Sequence, residues 1–122
     1  MIYEFRLPTI VTHMSSAVVE CIHAEVGESL KMGHKLIDLS VDLSSAFAQE
    51  CPPVSFFRIV LRESVWLRRL DVRPGHPCQI DELLAIFSTE QMEAIDQAPQ
   101  RPVRTTIAGI VHHQGMWTGN YL

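Results

Sequence analysis

An all-β fold is predicted for this chain of 122 residues by three observations. A strand–turn–strand pattern is written twice, glycine marks the same turn in both copies, and no helical stretch is long enough to cross between parallel strands. In the first copy, the apolar run Val19–Val26 leads to Gly27, then Leu30, Gly33 and the second run Leu36-Ile37-Asp38-Leu39-Ser40. Shifted by 48 positions, Leu67–Pro74 leads to Gly75, then Cys78, Asp81 and Leu84-Ala85-Ile86-Phe87-Ser88. Gly27 and Gly75 suit tight turns because such turns often need positive φ. Two such units bury their apolar faces against each other about a pseudo-twofold axis. A single domain of this length holds a sizeable core.

The elements follow in order. The start, Met1-Ile2-Tyr3-Glu4-Phe5-Arg6, alternates polar and apolar residues and lacks the continuous apolar core of a signal peptide. The first repeat then gives two strands and a hairpin. Ser44–Pro53 has mild helical propensity at its start and is stopped by Pro52-Pro53. Val54–Leu70 reads as strand, with Phe57, Ile59 and Leu61 on one face and Arg58 and Arg62 on the other. After the second repeat, Ser88-Thr89-Glu90-Gln91 has capping-box spacing and predicts a short acidic helix through about Gln97. Pro99 and Pro102 mark a linker, and Val103–Val111 is rich in β-formers. The tail carries Trp117 and Tyr121 among small turn-forming residues, which predicts that Val103–Leu122 packs across a sheet edge or an interface. Pairing near Ile2–Leu7 of the same chain is one solution, and exchange with a second copy in a homodimer is the other.

With the strands in place, residues 3–44 resemble the lipoyl domain of dihydrolipoyl acyltransferases. Tyr3-Glu4-Phe5-Arg6-Leu7-Pro8 is similar to the family's aromatic-acidic-aromatic-basic-Leu-Pro strand. Glu25–Leu36 resembles its glycine-acidic-x-aliphatic-Lys-x-Gly turn, and Ser40-Val41-Asp42-Leu43-Ser44 falls where the family has E-T-D-K-A. The second repeat resembles the family's other half. The resemblance implies a lipoyl/biotinyl-type flattened β-barrel of two four-stranded sheets over residues 1–88. A hairpin insertion at about 44–55 and a C-terminal extension over 89–122 would complete it.

The departures carry more information than the matches. The family's modified lysine would sit at position 43, flanked by Asp42 and Ser44, and the residue there is Leu43. The family attaches lipoate or biotin through a lysine amine, and leucine offers no nucleophile. Counting back from Gly75 puts the lysine position at Val54 instead, so the hairpin holds an insertion. Neither count finds an amine, because Lys31 and Lys35 are the only lysines and both belong to the first turn region. The family's acidic, glycine-rich loop after the proline is replaced by Val11-Thr12-His13.

Composition bounds the partners. With 47% hydrophobic and 20% charged residues, the chain reads as an ordinary soluble domain, and its net charge of −4 gives no reason for nucleic-acid binding. No apolar run is long enough to span a bilayer. Three cysteines without metal-site spacing fit a reducing cytoplasm. Arg58, Arg62, Arg68, Arg69 and Arg73 outnumber Glu63 and Asp71, a stripe that could hold phosphate, a coenzyme A tail or an acidic partner, though such a stripe opposite an apolar one is more often a solvated sheet face. None of the six histidines shows the spacing of a recognised zinc site; His112-His113 is the pair to test first. Cys78 aligns with Leu30 and reads as a small core residue, whereas Cys51 reads as the exposed thiol.

The expected function is therefore a non-catalytic interaction or assembly module without a covalent cofactor. Its partner is another protein or a second copy, met through Phe47, Arg58, Arg62, Trp117 and Tyr121. The alternative is a divergent accessory or carrier subunit of an acyltransferase or 2-oxo acid dehydrogenase-type complex, in which the arm is bound non-covalently or another residue accepts it.

Overall fold

The computed structural model describes residues 1–42 and 54–110. These form ten strands: β1 (Ile2–Arg6), β2 (Ser16–Ile22), β3 (Ser29–Leu30), β4 (Lys35–Asp42), β5 (Val54–Leu61), β6 (Val65–Leu70), β7 (Pro77–Gln79), β8 (Leu83–Ser88), β9 (Arg101–Pro102) and β10 (Thr105–Ile110). They build two five-stranded sheets in the orders β3-β6-β8-β1-β9 and β10-β5-β4-β2-β7. The all-β class is as predicted. The sheets differ from the expected pair of four-stranded sheets closed into a barrel: each is open and has one strand more. The additional strands come from the C-terminal extension, β9 pairing parallel to β1 and β10 antiparallel to β5.

The repeat is visible as paired hydrogen bonds. Gly27 N–H donates to Leu67 C=O and Gly75 N–H to Val19 C=O, each at 2.7 Å. Leu67 N–H donates to Glu28 C=O at 3.1 Å, and Val19 N–H to His76 C=O at 3.0 Å. Each repeat thus completes the turn of the other. Gly27 and Gly75 adopt φ of 94° and 90°, the left-handed region expected of them. Gly33 at φ 92° has its counterpart in Asp81 at φ 70°, and aspartate is among the few side chains that tolerate that region. Both copies also bulge at the same place, between Val19 and Cys21 and between Leu67 and Arg69.

The core lies between the sheets. Phe5, Val19, Leu39, Ile59, Leu67 and Phe87 are buried there, and Leu30 and Cys78 occupy matching buried positions. Period-two alternation places Ile37, Leu39 and Val41 of β4 inward and Asp38 and Ser40 on the other face. The long run Val54–Leu70 divides into β5 and β6 with a bend at Arg62-Glu63, and β5 keeps Ile59 and Leu61 inward as predicted.

The acidic helix expected through Gln97 does not form; residues 89–97 make turns and bends, and no described residue is helical. A helix there would need the Glu90 and Glu93 carbonyls as acceptors for Ala94 and Gln97. Arg68 Nη1 takes both instead, at 3.5 and 2.6 Å, while also bonding Ser88 Oγ at 3.1 Å. Tertiary capture outweighs a local cap signal. From this stretch the chain returns to β1, where Gln100 N–H donates to Ile2 C=O and Gln100 Oε1 accepts from Ile2 N–H. Val103 then enters the core, so the described part of the extension is integral to the sandwich.

Candidate functional site

Leu43, Ser44, Phe47, Cys51, His112, His113, Trp117 and Tyr121 lie outside the described residues, as does most of the predicted insertion. The last described pair of the β4–β5 ladder joins Asp42 with Val54. Of the two positions reached by counting, Leu43 lies outside the described residues and Val54 is the first residue of β5. The five arginines do not form a single patch. Arg58 is on β5 of one sheet, while Arg68 and Arg69 are on β6 of the other. Arg58 bonds Asp38, Arg69 bonds Asp71, and Arg68 is spent on Ser88 and two carbonyls. Arg62 is exposed just beyond β5, where its N–H donates to Arg104 C=O at 2.9 Å.

The C-terminal segment passes from one sheet to the other within two residues, Val103 and Arg104. Glu63 fastens this crossing. Its carboxylate accepts from Arg101 Nη1 and Nη2 at 2.9 and 2.8 Å and from Arg104 N–H at 2.7 Å. Those hydrogen bonds, Arg101 first, hold Glu63 below the usual carboxylate range in spite of partial burial. The Arg101 guanidinium also lies 3.8 Å from the Tyr3 ring centroid, a cation–π contact. Beside this crossing, β1 and the β9–β10 segment flank a half-open cleft of about 320 Å³ that includes Glu4, Arg6, Leu7, Asp81 and Val103. Its arginine is engaged: Arg6 bonds Asp81 C=O at 3.0 Å and pairs with Glu4 at 3.2 Å.

β10 brings a row of main-chain groups to the outer edge of its sheet. Leu61 turns its N–H and C=O toward β4, through His34 C=O and Gly33 N–H, whereas Arg62 N–H turns toward β10. With Thr105 opposite Leu61, strand alternation then sends the N–H and C=O of Thr105, Ile107 and Gly109 away from β5. Ile107 is 41% exposed.

A second constellation lies on the outer face of the same sheet. Cys21, Asp38 and Arg58 occupy one cross-strand row over β2, β4 and β5. Asp38 Oδ1 accepts from Arg58 Nε at 2.8 Å, and Oδ2 from Nη2 at 3.1 Å. His23 Nε2 lies 3.0 Å from Asp38 Oδ2, and its Nδ1 lies 4.0 Å from Cys21 Sγ. Burial on its own would raise the Asp38 carboxyl, but the hydrogen bonds and charges of Arg58 and His23 outweigh it and leave Asp38 lowered. The bulge explains the thiol's position. An unbroken β2 would turn residue 21 inward with Ala17 and Val19; the extra residue places Glu20 and Cys21 both outside.

A third cluster joins His76, Cys78 and Glu82 around β7, with His76 Nε2 3.2 Å from Glu82 Oε2. Desolvation, aided by the Glu82 charge, pushes the buried Cys78 thiol up to about 11, so it stays protonated at neutral pH. Both clusters bring together residues whose sequence spacing showed no metal pattern. In the first, both carboxylate oxygens already serve Arg58. A cation would have to displace a bidentate guanidinium.

Sequence reasoning passed over Cys21 and His23. The available signal was the repeat itself: shifted by 48, Cys21 and His23 fall on Arg69 and Asp71, an ion pair at 2.9 Å. Neither a model of a known protein family nor any curated protein matches the chain.

Proposed function

We propose that this chain is a lipoyl/biotinyl-like β-domain without a covalent arm, which works as an assembly module by joining a second copy of itself along β10. The observation that carries the reading is the inequality of the sheet edges. β3 is two residues long, β7 three with Pro77, and β9 two with Pro102. Short or proline-bearing edges resist further pairing. β10 has six residues, Thr105-Thr106-Ile107-Ala108-Gly109-Ile110, with neither a charge nor a proline. Its sequence is self-compatible in an antiparallel arrangement centred on Ile107, where Thr105 of one copy faces Gly109 of the other. Such pairing satisfies the outward main-chain groups, covers the exposed Ile107 and avoids like charges across the seam. A twofold dimer is the commonest closed assembly. The absence of a lysine after Lys35 supports the loss of the carrier role.

Sedimentation velocity over a concentration series tests the proposal. The natural chain should associate to a dimer, and Gly109→Pro and Ile107→Lys should each sediment as monomers with unchanged far-UV circular dichroism. Gly109→Pro removes an outward N–H and leaves the bonds to β5 in place; nothing lies within 4 Å of a Cβ at this position. A natural chain that stays monomeric, or variants that still dimerise, would refute the reading.

A further inference from the structure

We propose that Cys21 is a nucleophilic thiol that exchanges with low-molecular-weight disulfides, with His23 as its general base and Asp38 orienting the imidazole. The atoms are placed in order for this work. Asp38 Oδ2, 3.0 Å from His23 Nε2, accepts that nitrogen's proton as a hydrogen bond. The other ring nitrogen, Nδ1, then presents its lone pair to Cys21 Sγ at 4.0 Å. Arg58 keeps Asp38 fixed and ionised through two hydrogen bonds. Cys21 is exposed and the carboxylate is nearly buried, so the sulfur is reachable while its support is held.

The internal repeat provides a control for this reading. At the matching bulge, the corresponding residues are Arg69 and Asp71, joined at 3.0 and 2.9 Å. An arginine–aspartate pair therefore meets every demand the bulged backbone makes on these positions. The fold has no need of a thiol and an imidazole, yet one copy carries them. The position opposite in β8 is Ile86, whereas in β4 it is Asp38. Three chemically distinct residues thus differ from their counterparts at one spot.

The surroundings select the electrophile. The group sits on an open sheet face, and the cleft beside β1 is lined by none of its members. An ester, amide or thioester carbonyl requires donors aimed at a developing oxyanion, and Cys21 sits within a strand, paired with Asp38 in the β2–β4 ladder, rather than at a turn or helix N-terminus that would aim such donors. Attack on a disulfide places no charge on a carbonyl oxygen. It needs a thiolate, an accessible sulfur and a leaving thiolate. The step balances: Cys21 Sγ–H loses its proton to His23 Nδ1, and the sulfur attacks one sulfur of R–S–S–R. A new Cys21–S–S–R bond forms as the old S–S bond breaks. The departing R–S⁻ takes up the proton, and the small disulfide is the oxidant.

The experiment uses the full chain in a Cys51→Ser background, with oxidised glutathione and a chromogenic nitrobenzoate disulfide as probes at neutral pH. One glutathionyl group should appear, mapped by peptide mass to Cys21. The chromogenic reaction should be at least about a hundredfold faster than that of the same chain unfolded in urea, the low end for general-base assistance. His23→Gln should abolish the acceleration while the melting temperature is held. In His23→Ala, added imidazole should restore a substantial part of the rate, which a merely structural histidine would not allow. A folded rate equal to the unfolded rate, or an unchanged rate in both His23 variants, would overturn the proposal. Preferential acylation of Cys21 by a small thioester over thiolation would overturn the substrate class, and Zn²⁺ at micromolar concentration blocking the thiol in the natural chain but not in Asp38→Asn would make the cluster a metal site instead.

Discussion

Replacing Glu63 with alanine removes one carboxylate that three donors share. Arg101 loses both of its hydrogen bonds to that side chain, and the Arg104 N–H loses its acceptor. Glu63 and Arg101 side chains are 17% and 30% exposed, so water reaches the orphaned groups only in part. Hydrogen bonds to charged groups contribute roughly 1.5–3 kcal/mol each, and partial solvation recovers some of that. The net expectation is a loss of about 2–3 kcal/mol. For a domain of this size that lowers Tm by roughly 10 °C. The charge contribution has a definite pH dependence. Arg101 and Arg104 hold the folded Glu63 below its ordinary value of 4.5, so the stabilisation is complete above that value and disappears as pH falls through the lower folded value. Thermal melts followed by far-UV circular dichroism should show natural and Glu63→Gln chains well separated at neutral pH and converging in acid. Equal melting temperatures for Glu63→Ala and the natural chain at neutral pH would refute the reasoning, as would a Glu63→Gln difference that persists unchanged in acid.

Other outcomes follow from the same geometry. Gly27→Ala and Gly75→Ala should cost nearly the same, about 1 kcal/mol each in chemical denaturation, because both sit at positive φ with open space where the Cβ would go. Asp81→Gly should be neutral or stabilise by up to roughly 1 kcal/mol, since Gly33 fills the matching turn. Burial raises Cys78 from 9.0 to about 11, so its contribution is whole below the unfolded value and declines as pH climbs from about 9 toward 11; denaturation midpoints of Cys78→Ala should fall less steeply over that interval. Co-expressed with lipoate or biotin ligase, the chain should keep its unmodified intact mass because Leu43 offers no amine, and addition of one lipoyl or biotinyl group would contradict the loss of the carrier role.

The β architecture was legible because turn glycines and alternating apolar residues recur at a fixed offset, and both signals are local. Burial of Cys78 followed from its alignment with Leu30 for the same reason. The acidic stretch after Ser88 was misread because its carbonyls are claimed by Arg68, a partner more than twenty positions away that no capping rule includes. The fifth strand of each sheet was harder still. Thr105–Ile110 reads as strand, but β-propensity does not specify a partner, and the edge it joins is β5. The Cys21 group depends on a bulge that reverses the facing of one residue, and alternation counted through it points the thiol inward.

The reciprocal bonds between the two repeats bear on how the chain acquires its structure. Each sheet interleaves strands from both halves, as in β3-β6-β8-β1, and the Gly27 N–H finds its acceptor in Leu67. Residues 1–42 therefore lack many of their native partners while the rest is being synthesised. Most close residue pairs are distant in sequence, which places the described part of the chain among slow, high-contact-order folders. Until the second half arrives, β1 lacks β8 and the edge of β4 that β5 covers is open.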